Sequence, residues 1–403
     1  MAQDFPRLLV ATEFPPNASG GGPAVVRQML KGWPVEKLFW WSCLPENGGR
    51  FGQKFAAHRV AAIPRKLYPH QRWCEQKSWL LENLWTPWAA GHLRRTLTEF
   101  RPDAVWVIPH QWSIPPMIRE LSKMPFAYHV SMHDYMDAAG CVARFGVACS
   151  SRLAAAADRL YREASTRDAI CQPMVEDLRA RTGCSGLIAR AGLEPEDFDF
   201  LEVRLKSPSD KIKIAYAGTI LAEDAFTVFV STVERIRRQL PFAVSLEFFG
   251  SHSYRQRSWF DASWMNEHGD LPLLQLSAAL KECNWGFLPM ALTNHDPRYN
   301  RFSLPTKFIS YLSAGLPTIA LGHPESSVVK MARTYHVGAC LATDDPEIIG
   351  RELLDVLADS NAKTTFRAEI MRCAAAEFDA AKMRASLREC FRAGAEQNQA
   401  RVR

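Results

Sequence analysis

The segment that decides the fold of this chain is FSLPTKFISYLSAGLP, residues 302–317. It carries helix signals at both ends. Ser303 is the predicted cap, and Pro305 suits the first turn, where a missing N–H costs nothing. Gly315 is predicted to end the helix, and Pro317 prevents its continuation. The next residues, Thr318–Leu321, form a short apolar run that is typical of a buried strand. The segment therefore predicts a helix leading into a sheet.

Lys307 is an unexpected residue in the first turn of this helix, because its charge opposes the positive end of the helix dipole. A bound anion would remove the conflict, since free N–H groups and the ammonium would converge on it. Residues 297–324 contain no Asp or Glu, but they do hold Arg298 and Arg301. Two interpretations stay open here: an anion site, and an ordinary solvated lysine.

The run LPTKFISYLSAGLPTIA resembles the donor-site helix of the retaining group 4 (glycogen-synthase-like) glycosyltransferases, which have the GT-B fold. Many members have Pro-Ser-Lys, Tyr-Leu and Ala-Gly-x-Pro here. They usually also have two glutamates spaced E-x7-E, whereas this sequence has Phe302 and Ser310 in those places. The family's usual ribose and sugar contacts therefore do not carry over.

Size and composition fit a soluble two-domain protein. The chain has 403 residues, of which 47% are hydrophobic and 23% charged, and no run approaches the roughly 20 apolar residues of a membrane span. Its ten cysteines are scattered singly, without a CxxC pair, which favours a reducing cytosol over disulfides or a zinc site. The first residues lack a signal-peptide pattern, so we expect a cytoplasmic protein.

The formal charge of +6 favours anionic substrates or an anionic membrane surface. Nucleic acid binding is the weaker interpretation, because no dense basic run or known module is present.

Tryptophans are concentrated in residues 33–100, and aromatic residues at helical spacing are usually core. The alternative is an amphipathic surface that holds a lipid-linked or aromatic acceptor, with a weak peripheral contact to the inner face of the membrane.

The start of the chain predicts a buried strand over residues 8–12, a loop ending in Gly20, Gly21 and Gly22, and a helix from Pro23. A strand, a glycine loop and a helix together offer bare N–H groups to an anion. A flexible loop is the alternative. The family commonly opens in the same way, and the resemblance implies that these glycines contact the donor.

A predicted strand over residues 125–132 ends at His133 and Asp134. Ligands of open α/β sheets bind beyond the carboxyl ends of strands, so this pair is a candidate substrate contact. A capping aspartate beside a buried histidine is the alternative. The resemblance implies that His133 contacts the donor sugar, and that Asp134 and Tyr135 lie on the acceptor side.

In the second half, strands over 211–217, 244–249 and 285–289 alternate with helical stretches, which predicts a parallel sheet. A Gly218–Thr219 turn follows the first of these strands and is a possible diphosphate contact. Family members have a downstream basic residue here, whereas this sequence has Glu223 and Asp224. The acidic link 194–202 holds a formal DxD, Asp197 to Asp199, which we interpret as a solvated linker.

We predict an α/β protein of GT-B architecture, with two Rossmann-like domains whose parallel sheets face a central cleft. Residues 1–203 form the acceptor-side domain and residues 204–375 the nucleotide-sugar-binding domain. Residues 376–403 form a helix that returns to the first domain, plus a polar tail. The predicted boundary lies at residues 207–210.

The resemblance implies sugar transfer from a nucleotide-activated donor to an acceptor hydroxyl of a glycan, lipid-linked or small-molecule acceptor, with retention, and without a metal or other cofactor. Its rivals are a nucleotide-sugar epimerase of similar fold and a non-catalytic binding protein. Lys307 and His133 are the catalytic candidates. The expected donor-binding residues are Gly20, Gly21, Gly22, Gly218, Thr219, Gly250, Leu271, Arg301, Ser303, Leu304, Thr306 and Ser310.

Overall fold

The structure is a computed structural model and describes residues 5–17, 21–45, 55–68, 73–123, 126–202, 211–359 and 361–402. The chain folds into two compact units, Met1–Ala191 with Lys382–Arg403, and Gly192–Ala381. The second unit begins before the predicted residue 204, because Leu193 exchanges backbone hydrogen bonds with Phe378 and Ala380. The predicted boundary segment 207–210 lies outside the described residues.

The first unit is built on a parallel sheet. Its described strands are Leu8–Ala11 (β1), Leu38–Ser42 (β2), Ala57–Val60 (β3), Ala104–Val107 (β4), Tyr128–Met132 (β5), Thr166–Ala169 (β6) and Leu187–Ile188 (β7). Their order across the sheet is β3-β2-β1-β4-β5-β6-β7. The chain thus grows outward on one side of β1 and then crosses to β4 on the other, which places a topological switch point between these two strands.

Helices connect these strands: Gly21–Met29 (α1), Cys74–Leu80 (α2), Thr86–Phe100 (α3), Ile114–Leu121 (α4), Ala139–Phe145 (α5), Val147–Glu163 (α6) and Gln172–Thr182 (α7). A π-helical segment, Leu81–Trp85, joins α2 to α3, and single 3-10 turns lie at Val35–Lys37, Arg65–Leu67 and Gln111–Ser113. Every residue of β1, β4 and β5 is buried, as expected for parallel strands covered on both faces.

The second unit has its own parallel sheet. Its described strands are Lys211–Ala217 (β8), Ala243–Phe249 (β9), Met265–Glu267 (β10), Trp285–Pro289 (β11), Thr318–Leu321 (β12) and Gly338–Leu341 (β13). The order β10-β9-β8-β11-β12-β13 places the switch point between β8 and β11. The predicted two-sheet α/β class is therefore confirmed, and three of the predicted strands match β8, β9 and β11 to within a residue.

The helices of the second part of the chain are Pro195–Glu202 (α8), Glu223–Ile236 (α9), Leu273–Lys281 (α10), Pro297–Phe302 (α11), Thr306–Ser313 (α12), Ser327–Tyr335 (α13), Pro346–Leu357 (α14), Ala362–Thr365 (α15), Arg367–Glu377 (α16) and Ala380–Val402 (α17). The predicted linker at 194–202 was wrong, because α8 occupies it and buries Leu201 completely. Asp197 in this helix accepts the Glu194 N–H at 2.9 Å, which is a structural role.

The last helix packs on the first unit. Phe391 of α17 is buried in the core of that unit, with its ring centroid 5.7 Å from that of Trp33 and 5.4 Å from that of Trp106. Further along the helix, the Asn398 amide accepts the Ala127 N–H at 2.6 Å and donates to the Ala127 carbonyl at 3.1 Å. Because the backbone polar groups of Ala127 are satisfied by a side chain 271 positions away, α17 is an integral part of the unit.

The tryptophans of residues 33–100 fall into a buried group and an exposed group. Four of those in residues 33–100 are buried core residues, namely Trp33, Trp40, Trp41 and Trp85. Three others are exposed along the helical segment that starts at α2: Trp73 is 69% exposed, Trp79 58% and Trp88 54%. Sequence spacing alone did not separate these two groups.

Candidate functional site

The helix that holds Lys307 begins later than its sequence predicts. It runs over α12, Thr306–Ser313, and Pro305 is its N-cap residue. Ser303 instead ends the preceding helix α11, and its carbonyl accepts the Ser327 hydroxyl. The predicted Ser303 cap was therefore wrong, while Gly315 follows the helix in the left-handed conformation, as predicted.

Lys307 lies partly buried near the start of α12. Its Nζ atom donates to the Tyr216 hydroxyl at 2.9 Å and lies 4.1 Å from the centroid of that ring. No carboxylate of the described residues forms an ion pair with it. Burial lowers the pKa of Lys307 to about 8. A partly desolvated ammonium with a neutral partner, next to a helix N-terminus, is a favourable place for an anion, so the solvated-lysine interpretation does not fit this environment.

Residues at the carboxyl end of β8 lie beside Lys307. The Tyr216 hydroxyl donates onward to the Thr219 carbonyl at 2.8 Å, so one tyrosine links the lysine to the glycine turn. Gly218 has a φ of 92°, which a side chain would disfavour. Gly218 and Gly250 are adjacent, because a Cβ on Gly250 would lie 3.2 Å from the Gly218 carbonyl oxygen. The predicted donor residues Gly218, Thr219, Gly250 and Lys307 thus converge at the β8/β11 switch point.

Tyr311 fixes α12 against the sheet. Its hydroxyl accepts the Ala217 N–H at 2.9 Å and donates to the Ala215 carbonyl at 3.3 Å. The ring lies directly on Gly286, where an added Cβ would come within 2.3 Å of it. Only glycine lets the helix approach β11 this closely, and this contact sets the position of Lys307.

The remaining predicted donor residues lie in α11, in α12 or in loops. Ser310 donates back to the Thr306 carbonyl of its own helix at 3.3 Å. Arg301 is exposed, with its guanidinium 5.4 Å from the centroid of the Phe302 ring. Phe302 itself is buried. Because Phe302 and Ser310 occupy the two E-x7-E positions, neither position offers a carboxylate. Two further candidates, Leu304 and Leu271, are half-buried in the loops before α12 and α10.

The acidic residues after the glycine turn have structural partners. Glu223 pairs with Arg257 at 3.1 Å, and Asp224 accepts the Leu292 N–H at 2.9 Å. The structure also brings His252 to the turn, with its Nδ1 atom 3.2 Å from the Thr219 hydroxyl. His252 was not predicted, since it lies 33 residues further along the chain and no local motif marks it.

In the first unit, α1 begins at Gly21, two residues before the predicted start. Gly21 and Gly22 therefore form the first turn, whose N–H groups have no intrahelical partner. A Cβ on Gly22 would make an ordinary 3.7 Å contact with the Phe14 ring. Gly20 lies outside the described residues. The two described glycines keep their predicted place after β1, at the sheet edge where ligands bind.

His133 and Asp134 follow β5 at the same edge of the sheet. Burial lowers the pKa of His133, and the charge of His110 acts in the same direction. The Asp134 side chain is 64% exposed and lies 3.9 Å from His110 Nε2. Tyr135 is buried and donates to Asp177 at 3.1 Å, which favours a structural role over its predicted acceptor contact.

The structure reveals one pair that sequence reasoning missed. Glu13, two residues after β1, is buried, and its Oε2 atom accepts from Nδ1 of His110, which follows β4. The two residues are 97 positions apart but lie at the β1/β4 switch point. The available signal was a titratable residue shortly after the end of an apolar strand, which applies to both.

Gln111 is held in strained backbone next to this pair. Its φ is 40°, in the left-handed region that non-glycine residues rarely adopt. Its side-chain oxygen accepts from the Tyr68 hydroxyl at 2.7 Å and from Arg144 at 3.4 Å. Such strain concentrates at functional sites, and here it lies next to Glu13 and His110.

Among the described residues, no three His, Cys, Asp or Glu side chains converge in a way that could hold a metal ion. No helix in the described part of the chain is long and apolar enough to span a bilayer.

The chain has the GT-B fold, because it forms two α/β units that are each built on a parallel sheet. Polar side chains gather at the switch point of each sheet. The solved structures that the chain resembles are of this class. Sucrose-phosphate synthase from Thermosynechococcus elongatus superposes with a TM-score of 0.67 at 13% identity, over 96% of this chain and 98% of that one.

Two further structures show the same similarity. An α,α-trehalose-phosphate synthase (UDP-forming) from Burkholderia xenovorans, in complex with glucose-6-phosphate, has a TM-score of 0.65 at 12% identity and 95% and 99% coverage. An E. coli protein of the trehalose-6-phosphate group, bound with UDP-2-fluoro glucose, has a TM-score of 0.62 at 11% identity and 97% and 98% coverage. No protein-family model and no curated protein matches the sequence.

Proposed function

We propose that the protein is a glycosyltransferase that moves a sugar from a nucleotide-activated donor to an acceptor hydroxyl, with retention of configuration, in glycan, polysaccharide or glycolipid synthesis. The observation that carries this proposal is Lys307, an ammonium without a carboxylate partner among the described residues, beside the Gly218–Thr219 turn. Its charge and the amides of the turn would stabilise the diphosphate leaving group as negative charge develops. His133 is the candidate for positioning the sugar.

A panel of nucleotide sugars, with and without acceptors, tests this proposal against its rivals. Released nucleotide that depends on an acceptor supports a transferase. An isomerised donor would instead identify an epimerase, and donor binding without turnover a binding protein. UDP-glucose is the first donor to try, because one structural neighbour was solved with UDP-2-fluoro glucose. The anomeric configuration of the product, read by NMR, tests retention.

Transfer is expected to persist in excess EDTA. The reason is that Lys307 and backbone amides would supply the positive charge that metal-dependent enzymes obtain from a bound ion. The measurement is the initial rate before and after exhaustive chelation. Turnover that is lost in chelator and restored by Mg²⁺ or Mn²⁺ would contradict this prediction.

We also propose a weak peripheral contact with the inner face of the membrane, through the helical segment of α2 and α3. The exposed Trp73, Trp79 and Trp88 lie along it together with Leu84, which is 62% exposed. The 3-10 turn that packs against α2 carries exposed Arg65 and Lys66. Exposed indole rings beside basic residues are typical of helices that lie in the membrane interface.

Flotation with phosphatidylglycerol vesicles at low salt is expected to carry the protein upward, and high salt is expected to release it. Trp79→Ser/Trp88→Ser should weaken binding strongly. A matched control is Leu273→Ser/Leu274→Ser, which removes two exposed apolar side chains elsewhere and should bind as the wild type does. Absence of flotation at low salt would rule the contact out.

A further inference from the structure

The loop after β9 brings a histidine to the glycine turn that follows β8. His252 comes shortly after Phe249, the last residue of β9, and its Nδ1 atom lies 3.2 Å from the Thr219 hydroxyl. The Ser251 hydroxyl lies 3.5 Å from the same nitrogen. His252, Ser251 and Thr219 are all exposed, so this group of side chains is open to a ligand.

The two nitrogens of the His252 ring have different surroundings. Nδ1 faces two hydroxyls that can donate to it, whereas Nε2 has no hydrogen-bond partner among the described residues. A hydroxyl that donates to Nδ1 leaves the proton of the neutral ring on Nε2, and the imidazolium carries a proton there as well. Nε2–H is therefore a donor in both forms of the ring, and it is available to a ligand.

Backbone amides supply only part of the donors that an anion would need at this turn. The Gly218 N–H already donates to the Phe249 carbonyl at 2.7 Å. The Ile220 N–H likewise donates to the Tyr254 hydroxyl at 3.2 Å. Further donors for a ligand at the turn must therefore come from side chains.

Lys307 reaches the same turn from a different element. Its Nζ atom donates to the Tyr216 hydroxyl, which donates to the Thr219 carbonyl, while His252 contacts the Thr219 side chain. One turn residue is thus linked to an ammonium on α12 and to an imidazole in the loop after β9, all within the second unit. Phosphate groups bind where such donors and positive charge converge.

We propose that His252 is the second arm of the diphosphate site, so that Lys307 binds one phosphate of the nucleotide and His252 Nε2–H donates to the other. Two donors from separate elements suit two adjacent phosphates, whereas a monophosphate leaves one of them without a partner. His252 therefore determines how strongly the site prefers a diphosphate to a monophosphate. The inference rests on the proposed function and deepens it by adding this specificity-determining residue.

The test measures by calorimetry how wild type and His252→Asn bind UDP and UMP, with ADP and AMP, and GDP and GMP, as parallel pairs. Asparagine keeps a polar group near the place of Nδ1 but has no donor at the place of Nε2. Diphosphate affinity is expected to fall about 10-fold, the lower end for a hydrogen bond to a charged group because the imidazole is exposed. Monophosphate affinity should be unchanged. His252→Gln should recover part of the loss, since its longer side chain carries an N–H donor toward the place of Nε2.

His336→Asn is the matched control. His336 is an exposed histidine of the same unit that lies just before β13, at the amino ends of the parallel strands, so this variant should bind the diphosphate as the wild type does. Wild-type diphosphate affinity in His252→Asn, or equal losses for diphosphate and monophosphate, overturns the role of His252 and leaves the proposed function standing. A wild-type protein that binds none of the three diphosphates overturns the proposed function and the role of His252 together.

Discussion

Lys307→Ala is expected to reduce kcat/KM for sugar transfer by about 10- to 150-fold, the equivalent of a charge-assisted contact of roughly 1.5–3 kcal/mol. The side chain donates to Tyr216 and has no carboxylate partner among the described residues, so its loss removes positive charge from the leaving diphosphate. Folding should survive, because removing a partly desolvated cation from the first turn relieves its conflict with the helix dipole.

The chain offers a matched control for this substitution. Lys363 is also a partly buried lysine of the second unit, its pKa is likewise lowered to about 8 by burial, and it donates to the Lys281 carbonyl at 2.5 Å. Lys363→Ala should leave transfer unchanged. Lys307→Arg should recover only part of the activity, since the guanidinium is larger and differently shaped. Normal turnover and nucleotide affinity in Lys307→Ala would remove the anion site from consideration, with Arg301 the next candidate.

Asp168→Ala is expected to destabilise the first unit by about 3–5 kcal/mol, the usual cost of breaking a buried ion pair. Asp168 is fully buried on β6, and its Oδ2 atom lies 2.6 Å from His129 Nε2 and accepts the Ser131 hydroxyl at 2.6 Å. Chemical unfolding followed by tryptophan fluorescence measures the change. Glu163→Ala is the control, because its pair with Arg159 is solvent-exposed and exposed pairs contribute little to stability.

The same pair predicts a pH dependence of stability. Burial alone would lower the pKa of His129, but the hydrogen bonds and charge interactions with Asp168 and Cys390 together outweigh burial and raise it from 6.5 to about 9. A pKa that is higher in the folded state than in the unfolded state contributes its full stabilisation at pH values below the unfolded-state pKa. The free energy of unfolding should therefore fall as pH rises from about 6.5 through 9. Asp168→Asn should flatten this window. A wild-type stability that is constant across it would contradict the assignment.

Local patterns in the sequence were enough for the elements and their class. The continuous apolar run at residues 285–289 became the central strand β11, because a parallel strand buried on both faces needs no alternation. Glycine and proline marked the end of α12. The resemblance at residues 302–317 selected the GT-B fold, which the structural neighbours share.

Finer local details depended on more than the pattern of residues. Ser303 has the chemistry of a cap, yet it ends the preceding helix and Pro305 begins α12. Residues 194–202 have the composition of a solvated link, yet they form α8, because Leu201 finds a buried place in the second unit. Trp40 and Trp79 look alike in sequence, yet one is core and the other exposed. Composition does not encode which face a neighbouring element covers.

The sequence by itself determined strands such as β1, β8, β9 and β11, the glycine turns and the presence of Lys307 at a helix start, because each depends on residues a few positions apart. Only the tertiary structure decided the partners of the candidate side chains. Lys307 meets Tyr216 across 91 positions, and His110 meets Glu13 across 97. The first contact exists because α12 packs against β8 through Tyr311. The second exists because β1 and β4 are neighbours, so their carboxyl ends meet at a switch point. Both depend on the packing of whole sheets.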